Sequence, residues 1–79
     1  MPEVPAHSTV EVERSHDGSR TLTLRSIGGD SPFMVTDAPS GGICLQGPTA
    51  EGSRPYTIPQ NQTIKIENLG DNPIGYDVD

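Results

Sequence analysis

The apolar side chains of this chain occur in short runs that alternate with polar residues between frequent glycines and prolines. The longest unbroken apolar runs are three residues, at 33–35 and 43–45. Val10 and Val12 alternate with glutamates, which is the two-residue period of a half-buried strand. No window has the 3.6-residue apolar spacing of an amphipathic helix. The pattern therefore predicts an all-β chain, and its short runs exclude a membrane-spanning helix.

Seven short segments have strand character, and 79 residues suffice for one small domain. These segments cover residues 10–13, 21–25, 33–36, 43–46, 56–58, 63–67 and 74–78. Short strands joined by frequent turns predict a small antiparallel β-sandwich or a jelly-roll-like barrel of about seven strands. The side chains expected to face inward are Val10, Val12, Leu22, Leu24, Ile64, Ile66 and Tyr76. The Asp17-Gly18 dipeptide favours a tight turn, so we expect the first two strands to form a hairpin.

Residues 1–8 lack the alternation and include Pro2 and Pro5. Proline fixes φ and removes an amide donor, so we expect an extended N-terminal arm followed by a single β-sandwich domain over residues 9–79. Terminal segments with few apolar side chains are usually loose. The arm is therefore expected to become ordered only against another subunit or a partner.

Two stretches of the chain, which begin at Thr21 and Thr63, have similar sequences. Each contains an alternating strand, an apolar residue, a Gly-Asp-x-Pro turn and a second apolar strand, with one additional glycine in the first stretch. We interpret both as hairpins, in which Gly28 and Gly70 supply unusual φ values. An internal repeat and convergence on the same turn chemistry explain the similarity equally well.

The net charge of −6 limits the partners that the chain suits. Its 5 Lys and Arg residues are scattered, whereas phosphate binding needs clustered positive charge, so we expect no nucleic-acid partner. A single cysteine excludes an internal disulfide. The N-terminus has neither the basic flank nor the apolar run of a signal peptide, so we expect synthesis in the cytoplasm.

The nucleophiles and bases of the sequence do not form a recognisable catalytic set. Cys44 lies between apolar neighbours and is expected to pack as a small apolar residue. His7 lies in the arm and His16 beside the predicted turn. A pair of Cys44 with either histidine stays geometrically possible, but nothing in the sequence favours it. We therefore predict no catalytic residues and no enzyme activity.

Metal ligands are similarly dispersed. The histidines and the cysteine lack the close pairing of a zinc site. Asp71, Asn72, Asp77 and Asp79 provide oxygen atoms of the kind that calcium accepts, but the regular Asp-rich calcium loop is missing. Repulsion between Asp77 and Asp79 on one face of a strand is the simpler expectation. We predict no metal site and no cofactor.

A stiff segment at 54–59 places an arginine and a tyrosine among prolines. Arginine and tyrosine are favoured anchors of protein interfaces, which indicates a contact point. The alternative is an edge strand that proline protects from further pairing. The candidate protein-binding residues, from the arm and from this segment, are Pro2, Val4, Pro5, Arg54 and Tyr56.

An acidic, signal-less, all-β chain with an extended arm at 1–8 and two Gly-Asp-x-Pro turns resembles accessory proteins of tailed bacteriophages, namely capsid decoration (cement) proteins and small head-fibre-base proteins. The resemblance implies a non-enzymatic virion protein that binds the major capsid protein on the capsid surface, as a trimer or dimer, and contacts no membrane. The alternative is a small acidic binding module or inhibitor that docks on a host protein, because an acidic face suits a basic partner.

Overall fold

The computed structural model describes residues 2–48 and 53–79, within which every regular element is a β-strand. The strands are β1 (Glu3–Val4), β2 (Thr9–Val12), β3 (Arg20–Ser26), β4 (Pro32–Asp37), β5 (Ile43–Pro48), β6 (Ser53–Ile58), β7 (Ile64–Asn68) and β8 (Ile74–Val78). Among these residues no helix has the length and apolar character needed to span a membrane.

The eight described strands form two antiparallel sheets of four, in the orders β1-β8-β3-β6 and β2-β7-β4-β5. The pairs β1–β8, β2–β7, β3–β6 and β4–β5 nest inside one another along the chain. This is the strand order of a jelly roll, in which one long folded-over hairpin winds into two layers. The predicted all-β antiparallel sandwich is confirmed, and β1 is a strand that the sequence did not predict.

The core lies between the two sheets and is formed by the inward-facing side chains of the alternating strands. The buried apolar residues are Val4, Val12, Leu22, Leu24, Phe33, Val35, Ile58, Ile64, Ile66 and Ile74. Five of the seven side chains expected to face inward are among them, while Val10 and Tyr76 are partly buried against this core. The two-residue period therefore identified the buried face of β2, β3, β7 and β8.

The predicted hairpins are wrong, although their strands are correct. β2 and β3 belong to different sheets, and the connection over 13–19 crosses between the layers. Both Gly-Asp-x-Pro turns also cross, from β3 to β4 and from β7 to β8. Alternation fixes which side chains face the core but not which sheet receives the strand, because both sheets present the same kind of apolar inner face.

The two similar stretches that begin at Thr21 and Thr63 lie side by side and antiparallel. Leu24 is opposite Tyr76 where β3 pairs with β8, and Ile66 is opposite Val35 where β7 pairs with β4. In the sequence alignment of the two stretches Leu24 corresponds to Ile66, and Val35 corresponds to Tyr76. The two strand pairings therefore have equivalent registers, which relate the two stretches by an approximate two-fold axis.

The N-terminal segment differs from the expected arm, because it joins the domain as an edge strand. Val4 lies opposite Ile74 on β8, and its side chain is fully buried. The amide of Tyr76 donates a hydrogen bond to the carbonyl of Pro2 at 3.0 Å. Proline is tolerated at the end of an edge strand, so Pro2 and Pro5 permit this short pairing. The structure therefore orders the segment against its own chain.

The buried side chain of Asn68 forms hydrogen bonds with several segments at the end of the sandwich where the two Gly-Asp-x-Pro turns lie. Asn68 is 1% exposed, and its Oδ1 accepts hydrogen bonds from Ser31 Oγ at 2.6 Å and from the amide of Gly70 at 3.0 Å. Its Nδ2 donates to the carbonyls of Val4 at 3.1 Å and Asn72 at 2.7 Å. Gly28 has the expected unusual φ, at +77°, but the expectation for Gly70 is wrong, because its φ is not positive. Glycine is required at Gly70 by close approach instead, since a Cβ there would collide with the side chain of Ser31. The one amide group thus joins β1, β7 and both Gly-Asp-x-Pro turns.

We expect Val4→Ala to lower the free energy of unfolding by about 2 kcal/mol, because a fully buried side chain is truncated. Glu3→Ala, at the exposed neighbour on the same strand, is the control and should change it by less than about 0.5 kcal/mol. Urea unfolding followed by circular dichroism measures both. Equal stabilities of the two variants would contradict the place of β1 in the core.

We expect Asn68→Ala to lower the free energy of unfolding by about 3 kcal/mol, because several buried backbone and hydroxyl groups lose their partner at once. Glu67→Ala, on the exposed face of the same strand, serves as the control in the same thermal and urea unfolding experiments. A loss for Asn68→Ala no larger than the loss for Glu67→Ala would show that this amide does not organise the fold.

Candidate functional site

The predicted protein-binding residues are divided between two edges of one sheet. Pro2, Val4 and Pro5 belong to or flank β1, whereas Arg54 and Tyr56 lie on β6. β1 and β6 are the outer strands of the four-stranded sheet β1-β8-β3-β6. Three strand spacings of about 4.8 Å separate them, or about 14 Å. The structure therefore does not unite the five residues in one site.

The residues of the β1 edge differ in their availability to a partner. Pro2 and Pro5 are exposed, but the side chain of Val4 is buried in the core. On the β6 edge, Arg54 lies opposite Leu24 in the register, and its side chain lies outside the described part of the structure. Contact through the β1 edge must therefore come from Pro2, Pro5 and the backbone, not from the side chain of Val4.

In the described residues β6 pairs with β3 alone, so it is an edge strand. Pro55 is exposed in the middle of it and has no amide proton. A proline at this place prevents regular addition of another strand, which is how many edge strands are protected. A partner at β6 would therefore contact side chains rather than extend the ladder.

Tyr56 belongs to a polar cluster that bridges the two sheets beside β5 and β6. Its hydroxyl donates to Gln62 Oε1 at 2.9 Å. Gln62 Nε2 donates to Asp37 Oδ1 at 3.2 Å and lies 3.9 Å from Cys44 Sγ. We call these four residues (Asp37, Cys44, Tyr56 and Gln62) the Tyr56 cluster. Its members come from β6 in one sheet, from β4 and β5 in the other, and from the β6–β7 turn. Contacts from both sheets therefore hold the side chain of Tyr56 in place.

Asp37 is held in place by the turn that follows β4. Its Oδ2 accepts hydrogen bonds from Ser40 Oγ at 2.6 Å and from the Ser40 amide at 3.1 Å. The Ser40 hydroxyl, then the Ser40 amide, lowers the pKa of Asp37, and Gln62 acts in the same direction. The amide of Gly41, which has φ of +76°, donates to the Asp37 carbonyl at 2.7 Å. Asp37 is therefore an ionised acceptor for Gln62 at neutral pH.

Gln62 is positioned by a tight turn that sequence reasoning missed. The backbone N–H of Gln62 donates a hydrogen bond to the carbonyl of Pro59 at 3.2 Å, and Asn61, which lies between them in the turn, has φ of +68°. Asparagine tolerates this left-handed conformation better than most residues, which is the one signal in the sequence for the turn. Residues 5–8 form the same kind of turn, with His7 at φ of +56°.

Cys44 is the extra residue of a β-bulge. Ile43 pairs with Thr36 and Leu45 pairs with Val35, so Cys44 has no partner of its own on β4. The bulge lets both Cys44 and Leu45 pack against the core, and it leaves Ile43 57% exposed. The expectation that Cys44 packs among apolar neighbours is confirmed.

The charged groups named as possible ligands or bases have other partners. His7 Nε2 lies 2.6 Å from Asp71 Oδ1, and Arg25 donates to Asp77 Oδ2 at 2.7 Å. For His16, the backbone carbonyl rather than the imidazole accepts a hydrogen bond, from the side chain of Gln60 at 2.7 Å. Within residues 2–48 and 53–79 no three His, Cys, Asp or Glu side chains gather as metal ligands would. The positive charge of Arg25 on β3 offsets the repulsion that was expected between Asp77 and Asp79.

The Tyr56 cluster holds its phenol in the neutral form. Partial burial is the largest cause that raises the pKa of Tyr56, to about 12, and Cys44 and the charge of Asp37 act in the same direction. The hydrogen bond to Gln62 acts in the opposite direction. The cluster therefore supplies a rigid, uncharged aromatic ring next to the β6 edge rather than an acid or base near neutral pH.

We expect the phenol of folded Tyr76→Phe protein, in which Tyr56 is the only tyrosine, to ionise near pH 12. The unfolded chain loses this proton near pH 10. Between these values the unfolded state binds fewer protons than the folded state, so the free energy of unfolding falls as the pH rises. Absorbance at the phenolate band measures the midpoint, with circular dichroism to confirm folding and the urea-unfolded variant as control. A folded-state midpoint near 10 would contradict the cluster geometry.

The chain matches no protein-family model, and no curated protein is similar to it in sequence. Its own residues and geometry are therefore the basis for a functional proposal.

Proposed function

We propose that this protein is a non-enzymatic structural protein of a virion, which decorates or cements a capsid lattice by binding the major capsid protein. The jelly-roll strand order supports this, because jelly rolls are common among viral capsid domains. Lectins and cupins share the fold, so the argument also requires a contact surface on this chain.

The observation that most supports the proposal is the fixed aromatic ring beside the β6 edge. Tyr56 is half-buried and hydrogen-bonded to Gln62, so little side-chain freedom remains for a partner to remove. Rigid tyrosines concentrate binding energy in interfaces, and Arg54 on the same strand is of the other favoured type. Because Pro55 prevents strand addition, the surface suits docking on a preformed lattice.

The distribution of charge agrees with attachment through this edge. The described strands β5 and β6 contain no acidic residue, and the carboxylate of Asp37 in the Tyr56 cluster is hydrogen-bonded to Ser40 and Gln62. The opposite edges of the two sheets contain Glu3 on β1 and Glu11 on β2. Attachment by β6 would leave these carboxylates facing outward. An acidic outer surface keeps decorated particles soluble and apart.

The proposed location is the outer surface of the capsid, with synthesis in the cytoplasm of the host. A dimer or trimer is the proposed assembly, since several copies on one lattice gain affinity from one another. The lattice also supplies a stabilising surface for a chain in which only 30% of the residues are hydrophobic.

The test is co-sedimentation of the purified protein with purified capsids of the virus that encodes it. We expect saturable binding at a fixed ratio to the capsid protein. Arg54→Ala combined with Tyr56→Ala should weaken binding by about 30- to 1000-fold, which corresponds to about 2–4 kcal/mol. The matched control is Arg25→Ala combined with Tyr76→Ala, which removes the same side-chain types from the middle of the same sheet.

Each outcome of this experiment supports or overturns a separate part of the proposal. Thermal unfolding first establishes that both double variants are folded. Absence of saturable binding by the parent protein overturns the capsid proposal, and capture of a basic host protein would favour the inhibitor alternative. Equal losses in the two double variants would overturn the β6 site.

A further inference from the structure

Of the eight strands in the described residues, β5 alone contains no charged residue, and it is an outer strand of its sheet. The other three outer strands each contain one, Glu3 on β1, Glu11 on β2 and Arg54 on β6. Outer strands present backbone N–H and C=O groups without a sheet partner, and charged side chains or prolines protect them from pairing with other chains. β5 has no charged side chain, its bulge lies at Cys44 and its proline is its last residue, so residues 45–47 between them are the least protected part of these edges.

The face beside this edge is also uncharged. Ile43 is 57% exposed and lies opposite Thr36, and exposed Gln46 lies opposite Met34. Met34 and Thr36 are half-buried. We call these four residues the β5 patch. It combines an open strand edge with apolar and neutral side chains that another strand can cover.

We infer that β5 pairs with β5 of a second copy of this chain, antiparallel across a two-fold axis. A two-fold contact places the same strand on both sides, and it joins the two four-stranded sheets into one of eight strands. Because each copy has a net charge of −6, the copies repel each other except where the contact contains no carboxylates. The same contact at β1 or β2 would bring glutamates together, and at β6 it would bring arginines together.

The bulge sets the extent of the pairing. Cys44 disrupts the regular edge near Ile43, so the continuous ladder is confined to residues 45–47, and the axis passes beside Gln46, which lies opposite Met34 within each copy. Such a contact buries less than the roughly 1200 Å² of a stable complex, so the purified dimer should be weak, with a Kd on the order of 100 µM. On a capsid lattice, the high local concentration of copies would strengthen the dimer. Only this statement about the lattice rests on the proposed function.

Sedimentation velocity of the full chain, under reducing conditions and from about 10 µM to about 1 mM, tests the inference. We expect a reversible shift from monomer to dimer. Higher salt should strengthen the association, because it screens the repulsion between two acidic copies while the contact itself contains no charge.

The decisive variant is Gln46→Lys, which introduces a cation on the exposed side of β5. We expect the dimer to weaken at least about tenfold, because the two new lysines meet across the axis. The control is Thr57→Lys, at an exposed position on the outer strand β6. Both variants make the net charge less negative, so non-specific electrostatics would strengthen association in both. A loss confined to Gln46→Lys therefore identifies β5.

Hydrogen exchange gives an independent readout on the parent chain. Amides of residues 45–47 should exchange more slowly as the concentration rises, while those of 56–58 should not change. A parent that stays monomeric at about 1 mM in high salt would overturn the inference, as would a Gln46→Lys variant that dimerises like the parent, or salt that weakens the dimer. Loss of capsid binding with an intact dimer would overturn the proposed function alone.

Discussion

The side-chain amide of Asn68 is the interaction on which the rest of this fold depends. It uses both of its donors and both of its acceptor positions within the protein, so it contributes without leaving a buried polar atom unpaired. Ser31, Gly70 and Asn72 lie where the chain crosses from one sheet to the other, and Val4 is the last residue of β1 before the chain crosses to β2. Of the ten apolar side chains that are buried in the described part of the chain, all lie on strands and none on these crossing turns. The amide therefore fixes how the two sheets are aligned, and the Tyr56 cluster, which spans both sheets, depends on that alignment.

The jelly-roll topology makes the fold strongly cooperative. Every strand pair joins one strand from β1–β4 with one from β5–β8, so neither half of the chain can form a ladder alone. Apart from the β4–β5 pair, whose strands are joined by the short 38–42 connection, every pairing brings together distant parts of the sequence, which favours slow folding. The equivalent registers of the β3–β8 and β4–β7 pairs show how similar sequences in the two halves produce this interleaving. The short connection between β4 and β5 is then the link between the halves, and Asp37 holds it through Ser40.

The sequence was sufficient to predict seven of the eight described strands and the buried faces of β2, β3, β7 and β8, because burial imposes a two-residue period on each strand separately. It was insufficient for pairing, because a Gly-Asp turn suits both a hairpin and a crossing, as the 13–19 connection shows. β1 escaped prediction because Val4 is a single apolar residue between prolines, and its burial depends on β8, about seventy residues away. Within the candidate site, the sequence identified Tyr56, because tyrosine is a favoured interface residue. It did not identify Gln62 or Asp37 as residues of the site. Their roles depend on a left-handed residue at Asn61 and on a contact between elements distant in sequence.

The arrangement of outer strands allows the two proposed contacts, through Tyr56 and through β5, to operate at once. β6 ends one sheet and β5 ends the other, and both lie on the side of the sandwich that contains the Tyr56 cluster. Pro55 restricts β6 to side-chain contacts, whereas β5 keeps an open ladder and no charge. A copy held on a surface through Tyr56 therefore still presents β5 to its neighbour, because the two contacts use different sheets. The acidic residues of β1 and β2 lie on the opposite edges, so neither contact requires two carboxylates to approach each other.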